Sequence, residues 1–235
     1  MDKLYIVIPA YNEEENIEAV IKEWYPIVER IGNGSRLVII DDGSKDSTYS
    51  IMKNYADDLE AFEPLTKPNG GHGATVLYGY KYAVDIGADY VFQTDSDGQT
   101  VPEEFWQFWE DRDNWDMIIG QRKGRQDGLS RVLVTKTLKF VLWLSFRVRL
   151  KDANTPFRLM KADVLKEQLG LIPDGYNLSN VLISVIYARK GLKVRYIPIT
   201  FRPRQGGVNS INMKRIFKIG RQAVRDFKKL NQVLE

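Results

Sequence analysis

Leu37-Val38-Ile39-Ile40-Asp41-Asp42-Gly43-Ser44, residues 37–44, runs four apolar residues straight into two carboxylates and a turn, and Ser47-Thr48 then leads into a helix. An uninterrupted apolar run of this length suits a strand covered on both faces. The same plan recurs on either side. Upstream, the strand-like Leu4–Pro9 is followed by Tyr11-Asn12-Glu13; downstream, Tyr90–Thr94 is followed by Asp95-Ser96-Asp97. Phe62–Thr66 and Met117–Gly120 are two further candidate strands. Between them, Glu14–Ile31 repeats apolar residues at the spacing of one helical face. Ser47 is expected to cap the second helix, Gly73–Ile86 reads as a third, and Pro102 opens a fourth that runs through Trp109. Short strands alternating with helices predict an α/β fold: a Rossmann-like, mostly parallel central sheet with helices on both faces.

At 235 residues the chain suits one substantial domain, expected over residues 1–212, followed by a basic amphipathic helix over 213–235. There are no cysteines, so disulfides and thiolate metal sites are excluded, and any metal must sit on oxygen or nitrogen. The opening run breaks at Pro9, too early for a secretory signal. The apolar stretch Phe140–Phe146 is far shorter than the roughly 20 residues a spanning helix needs. A cytoplasmic location is therefore expected. The net charge of +3 conceals an asymmetry: residues 121–151 hold nine Lys/Arg against one acid, and residues 213–230 hold seven against one. A basic face on an otherwise acidic body suits phosphate or anionic lipid.

In an open α/β sheet ligands bind beyond the carboxyl ends of the strands, so the loops after Pro9, Asp41 and Thr94 should converge on one crevice. Asp95 and Asp97 leave a rigid strand end on one short loop. Mg²⁺ and Mn²⁺ are usually held by one or two carboxylates completed by phosphate oxygens and water. A loop of Asp and Gly also suits plain turn chemistry. Asp41 or Asp42 can accept hydrogen bonds from a base or ribose, whereas Asp46 fits helix capping better. His72, the single histidine, lies in Gly70-Gly71-His72-Gly73, where backbone can approach a phosphate closely.

Pro9-Ala10-Tyr11-Asn12-Glu13, Asp41-Asp42-Gly43-Ser44, Asn69-Gly70-Gly71-His72-Gly73 and Asp95-Ser96-Asp97-Gly98-Gln99 together resemble, in order and spacing, the motifs of family 2 glycosyltransferases with the A-type nucleotide-sugar-binding fold. The resemblance continues through Arg122, Asp152–Arg158 and Pro198–Ser210, and within the family it is similar to the dolichyl and polyprenyl phosphate glycosyltransferases. It implies that Pro9, Tyr11, Glu13 and Asp41 or Asp42 hold the nucleoside, and that Asp95, Asp97 and Gln99 bind the metal and diphosphate. It also implies that Arg122, Arg131 and Thr135 meet an acceptor phosphate, with Asp152 and Arg158 beside them, and that Arg204 comes from a loop over the diphosphate. The expected reaction is metal-dependent and inverting, moving a sugar from a UDP- or GDP-sugar to a lipid phosphate.

The residues themselves support the acceptor side, because Arg presents a planar fork to phosphate and Arg122, Lys123, Arg125 and Arg131 follow a strand end. Val132–Leu150 reads as an unusually apolar helix edged with basic residues, fit for a membrane interface or for burial. The partners expected are a nucleotide-sugar donor, a lipid-phosphate or glycan acceptor and the cytoplasmic face of a membrane; nucleic acid is not expected, and a homo-oligomer stays open.

The chain departs from the lipid-phosphate enzymes in two places. Asn154-Thr155-Pro156 stands where they carry Thr-Ser-Gly, and no acid occurs near Asn180–Leu182. Transfer to a hydroxyl needs a general base; an anionic phosphate acceptor needs none. Asp152 is the candidate base should the acceptor be a saccharide hydroxyl. Two other readings are a sugar nucleotidyltransferase, disfavoured by the acidic loop after the first strand, and a non-catalytic basic module for anionic lipid or nucleic acid.

Overall fold

A computed structural model describes residues 2–122 and 142–202, with Phe227 and Asn231. Seven strands form one sheet in the order β3-β2-β1-β4-β6-β5-β7. They are β1 (Leu4–Ala10), β2 (Arg36–Asp41), β3 (Phe62–Thr66), β4 (Tyr90–Gln93), β5 (Met117–Arg122), β6 (Arg158–Lys161) and β7 (Val194–Ile199). Only β6 runs against the rest, antiparallel to both β4 and β5. The first five strands lie where sequence places them, to within two residues at their ends. β6 and β7 were not foreseen.

Alternation along β1 explains the layers. Leu4, Ile6 and Ile8 face one apolar core, and Tyr5 and Val7 face the other. The first core is closed by α1 (Ile17–Ile31), whose Ile17, Val20, Ile21, Trp24, Ile27 and Val28 are buried, and by Phe105 and Phe108 beside α4 (Trp106–Glu110). The second is closed by α3 (His72–Asp85), α5 (Ala162–Leu169) and α6 (Ser179–Arg189). Phe92 carries β4 into a ring cluster with Trp24, Phe105 and Phe157, at centroid distances of 5.5, 5.0 and 4.7 Å. Edge-to-face pairs of this kind add to simple burial.

α3 lies unusually close to the sheet: a Cβ on Gly79 would sit 2.4 Å from Val7 Cγ1. That approach carries the first turn of α3 over the ends of β1 and β2. α2 (Thr48–Ala56) starts as expected, but the cap differs: Ser47 makes no side-chain cap bond, and Asp46 Oδ1 accepts from Thr48 N at 3.0 Å and Thr48 Oγ1 at 2.6 Å. The reason is reach, since Asp46 lies two residues before the amide it caps.

From β1 the chain winds outward through β2 to β3 and returns on the other side of β1 as β4. Strand order therefore reverses between β1 and β4, and their loops open a crevice there. Only part of the expected apolar helix and of the C-terminal segment falls within the described residues. Residues 142–146 are helical, with Leu142 and Phe146 buried and Trp143 and Leu144 exposed. Phe227 is fully buried, its ring 5.1 Å from that of Phe146.

Candidate functional site

Three loops meet at the crevice. Ser96 Oγ donates to Pro9 O at 2.9 Å, tying the loop after β4 to the end of β1. Asn12, with φ of 53°, turns the loop after β1 toward β2; its amide donates to Ser44 Oγ at 2.9 Å and its Oδ1 accepts from Lys45 N at 2.9 Å. Asn tolerates this left-handed backbone better than most residues. Glu13 N donates to Thr48 Oγ1 at 2.9 Å, and Glu13 O starts α1 by accepting from Ile17 N at 2.8 Å. Glu13 is largely buried, while the Tyr11 ring stands 43% exposed at the mouth.

The two carboxylates after β2 are buried and serve the loops. Asp41 accepts from Ser44 N at 3.1 Å and Thr66 Oγ1 at 2.9 Å, joining β2 to β3. Asp42 accepts from Lys67 Nζ, and from Gly70 N and Gly71 N at 2.8 Å each. Burial pushes the Asp42 carboxyl up, but Lys67, the Gly70 amide, Thr75 and the Gly71 amide outweigh it and hold the pKa below the ordinary value. Asp41, expected with Asp42 to meet the nucleoside, is 2% exposed and its carboxylate bonds its own loop and β3. Asp42 holds the glycine loop instead, so the pair shapes the crevice from behind.

That glycine loop aims His72. Its Nε2 lies 2.9 Å from Asp95 Oδ1. The surrounding protein partly desolvates the ring, although its side chain is 54% exposed, yet Asp95, then Asp97 and Asp42, raise its pKa above the ordinary value. Asp95 Oδ1 also accepts from Gln93 Nε2 at 3.0 Å, and Asp97 Oδ1 accepts from Gln99 N at 3.2 Å. The donor set fits a hard divalent cation: two carboxylates on one loop, with no cysteine thiolate in the chain. Among the described residues no group of three His, Cys, Asp or Glu could enclose an ion, so substrate oxygens and water would complete the shell. Gln99 was expected beside them as a ligand. Its side-chain nitrogen donates to Arg202 O at 3.0 Å, and Arg202 N donates to Gln99 O at 2.7 Å. Gln99 thereby holds the start of the segment that leads to Arg204. Glu104 holds the same segment, accepting from Thr200 N at 2.9 Å.

At the end of β5, Arg122 and Asp152 form a two-pronged pair, Nε to Oδ2 and Nη2 to Oδ1 both at 2.9 Å. Arg158 is a correction. It is fully buried, and its guanidinium donates to the carbonyls of Ala153, Thr155 and Asn180 and to Ser184 Oγ. No donor is left facing an acceptor; the residue pins the 153–155 loop onto α6. Arg131, Thr135 and Arg204 lie outside the described residues. Sequence reading missed Gln93, Tyr80 and Asn180, which meet behind Asp95. The available signal was a glutamine closing an otherwise apolar strand.

A seven-stranded sheet with one reversed strand, and carboxylate loops over its switch point, defines the A-type glycosyltransferase class of fold. The glycosyl transferase family 2 model matches residues 5–169, which include every loop just described except the partners at 170–202 beyond α5, and the chain belongs to that family. It is 29% identical over 167 residues to the undecaprenyl-phosphate 4-deoxy-4-formamido-L-arabinose transferase of Pectobacterium atrosepticum, covering 70% of this chain and 50% of that protein. The chain thus spans about half the length of that relative. An uncharacterised protein of Methanocaldococcus jannaschii is 26% identical over 232 residues, covering 93% of this chain and 96% of its own.

Among solved structures, glucosyl-3-phosphoglycerate synthase from Mycobacterium tuberculosis, in complex with Mn²⁺, UDP-glucose and phosphoglyceric acid, gives a TM-score of 0.69 at 19% identity, covering 97% of this chain and 79% of that one. S. aureus TarS, residues 1–349 with UDP-GlcNAc, gives 0.62 at 17% identity, covering 94% and 65%. At these identities the likeness is one of fold.

Proposed function

We propose that the protein is an inverting glycosyltransferase that moves a sugar from a UDP- or GDP-sugar to a polyprenyl or dolichyl phosphate, using Mg²⁺ or Mn²⁺. The observation that carries this reading is the pairing of Asp95 and Asp97 on one loop at the β1/β4 switch point, with His72 against Asp95 at 2.9 Å. Membership of family 2 and the named activity of the Pectobacterium relative support it.

In this reading Pro9, Tyr11 and Glu13 border the nucleoside, with the Tyr11 ring available to a base, and Asp42 keeps the glycine loop in place. Asp95 and Asp97 would hold the cation, which when bound neutralises charge on the leaving diphosphate. His72 sits where it can meet a diphosphate oxygen, and Arg204 would approach from the other side. Arg122, Arg131 and Thr135 would orient the acceptor phosphate. One of its oxygens attacks the anomeric carbon as the bond to the diphosphate oxygen breaks, so the chain's task is alignment and charge stabilisation.

A saccharide hydroxyl is the second acceptor to weigh, and it needs a base. Both Asp152 oxygens accept from Arg122, which disfavours Asp152 in that role and favours an acceptor that is already anionic. The division into a catalytic domain over residues 1–212 and a basic helix over 213–235 is part of the proposal, as is a peripheral position on the cytoplasmic face of a membrane. No helix among the described residues is long and apolar enough to cross a bilayer. Trp143 and Leu144 stand exposed beside Arg147 and Arg149, a combination suited to an anionic lipid surface.

Turnover of UDP- and GDP-sugars with a short-chain polyprenyl phosphate, with and without Mn²⁺, tests the reading. Metal-dependent release of nucleoside diphosphate that requires the lipid phosphate is the expected result. Anionic-lipid binding with no response to any nucleotide would leave a non-catalytic module in its place.

A further inference from the structure

Behind Asp95 lies a one-way chain of hydrogen bonds sealed from solvent. Tyr80 OH donates to Asn180 Oδ1 at 2.9 Å, Asn180 Nδ2 donates to Gln93 Oε1 at 2.9 Å, and Gln93 Nε2 donates to Asp95 Oδ1 at 3.0 Å. Tyr80 and Gln93 are fully buried and Asn180 is 4% exposed. Burial first, opposed by Arg158 and aided by Asp95, pushes the Tyr80 hydroxyl far above its ordinary pKa, so it stays a donor at every physiological pH. The direction is fixed from the other end: the Asp95 carboxylate only accepts, so Gln93 must turn Nε2 to it, which turns Gln93 Oε1 to Asn180 Nδ2 and leaves Asn180 Oδ1 to accept from Tyr80.

The chain is anchored from the side by β6. Its register sets Arg158 opposite Gln93, and Arg158 Nη1 donates to Asn180 O at 3.0 Å. The other Arg158 donors hold Ala153 O and Thr155 O, next to Asp152. One buried cation therefore fixes both the acceptor-side loop and the residue that orients Gln93.

We propose that Gln93, clamped by Asn180 and Tyr80, is the positioning residue that fixes the Asp95 carboxylate for a divalent cation. The inference rests on the reading of Asp95 as a cation ligand. A carboxylate that accepts from Gln93 and His72 on one oxygen is restricted in rotation, as ligand carboxylates are when outer partners hold them. Gln93 touches no substrate, so its removal should weaken the cation and spare nucleotide recognition.

The test titrates Mn²⁺ into protein saturated with UDP or GDP in separate arms, read by electron paramagnetic resonance, with nucleotide affinity measured again without metal. Gln93→Met and Asn180→Leu should each weaken Mn²⁺ about tenfold or more. The double variant should be no weaker than the worse single, since both break one chain. Metal-free nucleotide affinity should hold within about twofold, which a general loosening of the fold would not allow. Tyr80→Phe keeps the ring volume, folds in either case, and should weaken Mn²⁺ about threefold. Wild-type Mn²⁺ affinity in Gln93→Met, or in Tyr80→Phe where the former does not fold, overturns the inference. A wild-type protein that binds no nucleotide with Mn²⁺ fails differently: the proposed function falls first, and this inference with it.

Discussion

Arg158 shows how a charged side chain is kept inside. Its fork reaches three buried carbonyls and one hydroxyl, and all of its donors are used. Lysine is a point charge with three donors and cannot span four acceptors. Arg158→Lys should therefore lower stability by about 2–4 kcal/mol, read as a shift in urea midpoint. Asp42 gives a prediction with a sign. Its folded pKa lies below the ordinary carboxylate value, so its contribution is fully present above that value and is lost as pH falls below it. Wild type should lose stability between about pH 4 and pH 2 more steeply than Asp42→Asn, whose amide cannot titrate. Equal slopes in urea melts across that range would remove Asp42 from the account.

Among the elements, α3 lies close against the sheet, and Gly79 sets that approach. Alanine normally favours a helix over glycine by about 1 kcal/mol. At Gly79 a Cβ would meet Val7 Cγ1, a methyl on a stiff β-branched side chain of β1, at 2.4 Å, and Ile40 Cδ1 at 2.9 Å. Overpacking of this kind typically costs about 1–3 kcal/mol. Gly79→Ala should then be destabilising and should also weaken nucleotide binding, because it lifts the turn that carries His72. A stabilised variant would show that α3 is free to shift.

The elements also show what sequence could and could not yield. β1, β2 and β4 were legible because both faces are covered, so Leu37 to Ile40 is apolar throughout and the polar residues begin where the strand ends. β6 was not legible: Arg158-Leu159-Met160-Lys161 is short, and its arginine reads as a surface charge unless the carbonyls of residues 153, 155 and 180 are known to surround it. β7 hid for a related reason, with Arg195 and Pro198 marking an edge strand that alternates weakly. Asp95 and Asp97 were legible as a candidate site because two acids at a strand end, with further acidic loops after β1 and β2, suit a hard cation. Gln93 and Asn180 were not, because a buried amide looks ordinary until its partners, 87 residues apart in the chain, are brought together.

For the whole molecule, a crevice at the switch point lies on a body whose excess positive charge is concentrated in two segments. Exposed Trp143 and Leu144 beside Arg147 should give binding to anionic vesicles that exceeds binding to zwitterionic ones and falls with salt. Replacing both by serine should reduce co-sedimentation several-fold while leaving turnover of a water-soluble acceptor phosphate analogue unchanged. Unaltered sedimentation would move the membrane contact elsewhere on the chain.

The central claim is that Asp95 and Asp97 join a divalent cation to a nucleoside diphosphate. Calorimetric titration of UDP and GDP into the wild type and into Asp97→Ala, each with and without Mn²⁺, tests it most directly. One nucleotide should bind the wild type at least about tenfold more tightly with Mn²⁺, and Asp97→Ala should lose that gain while keeping its metal-free affinity. Identical metal enhancement in both proteins, or none in either, would contradict the account.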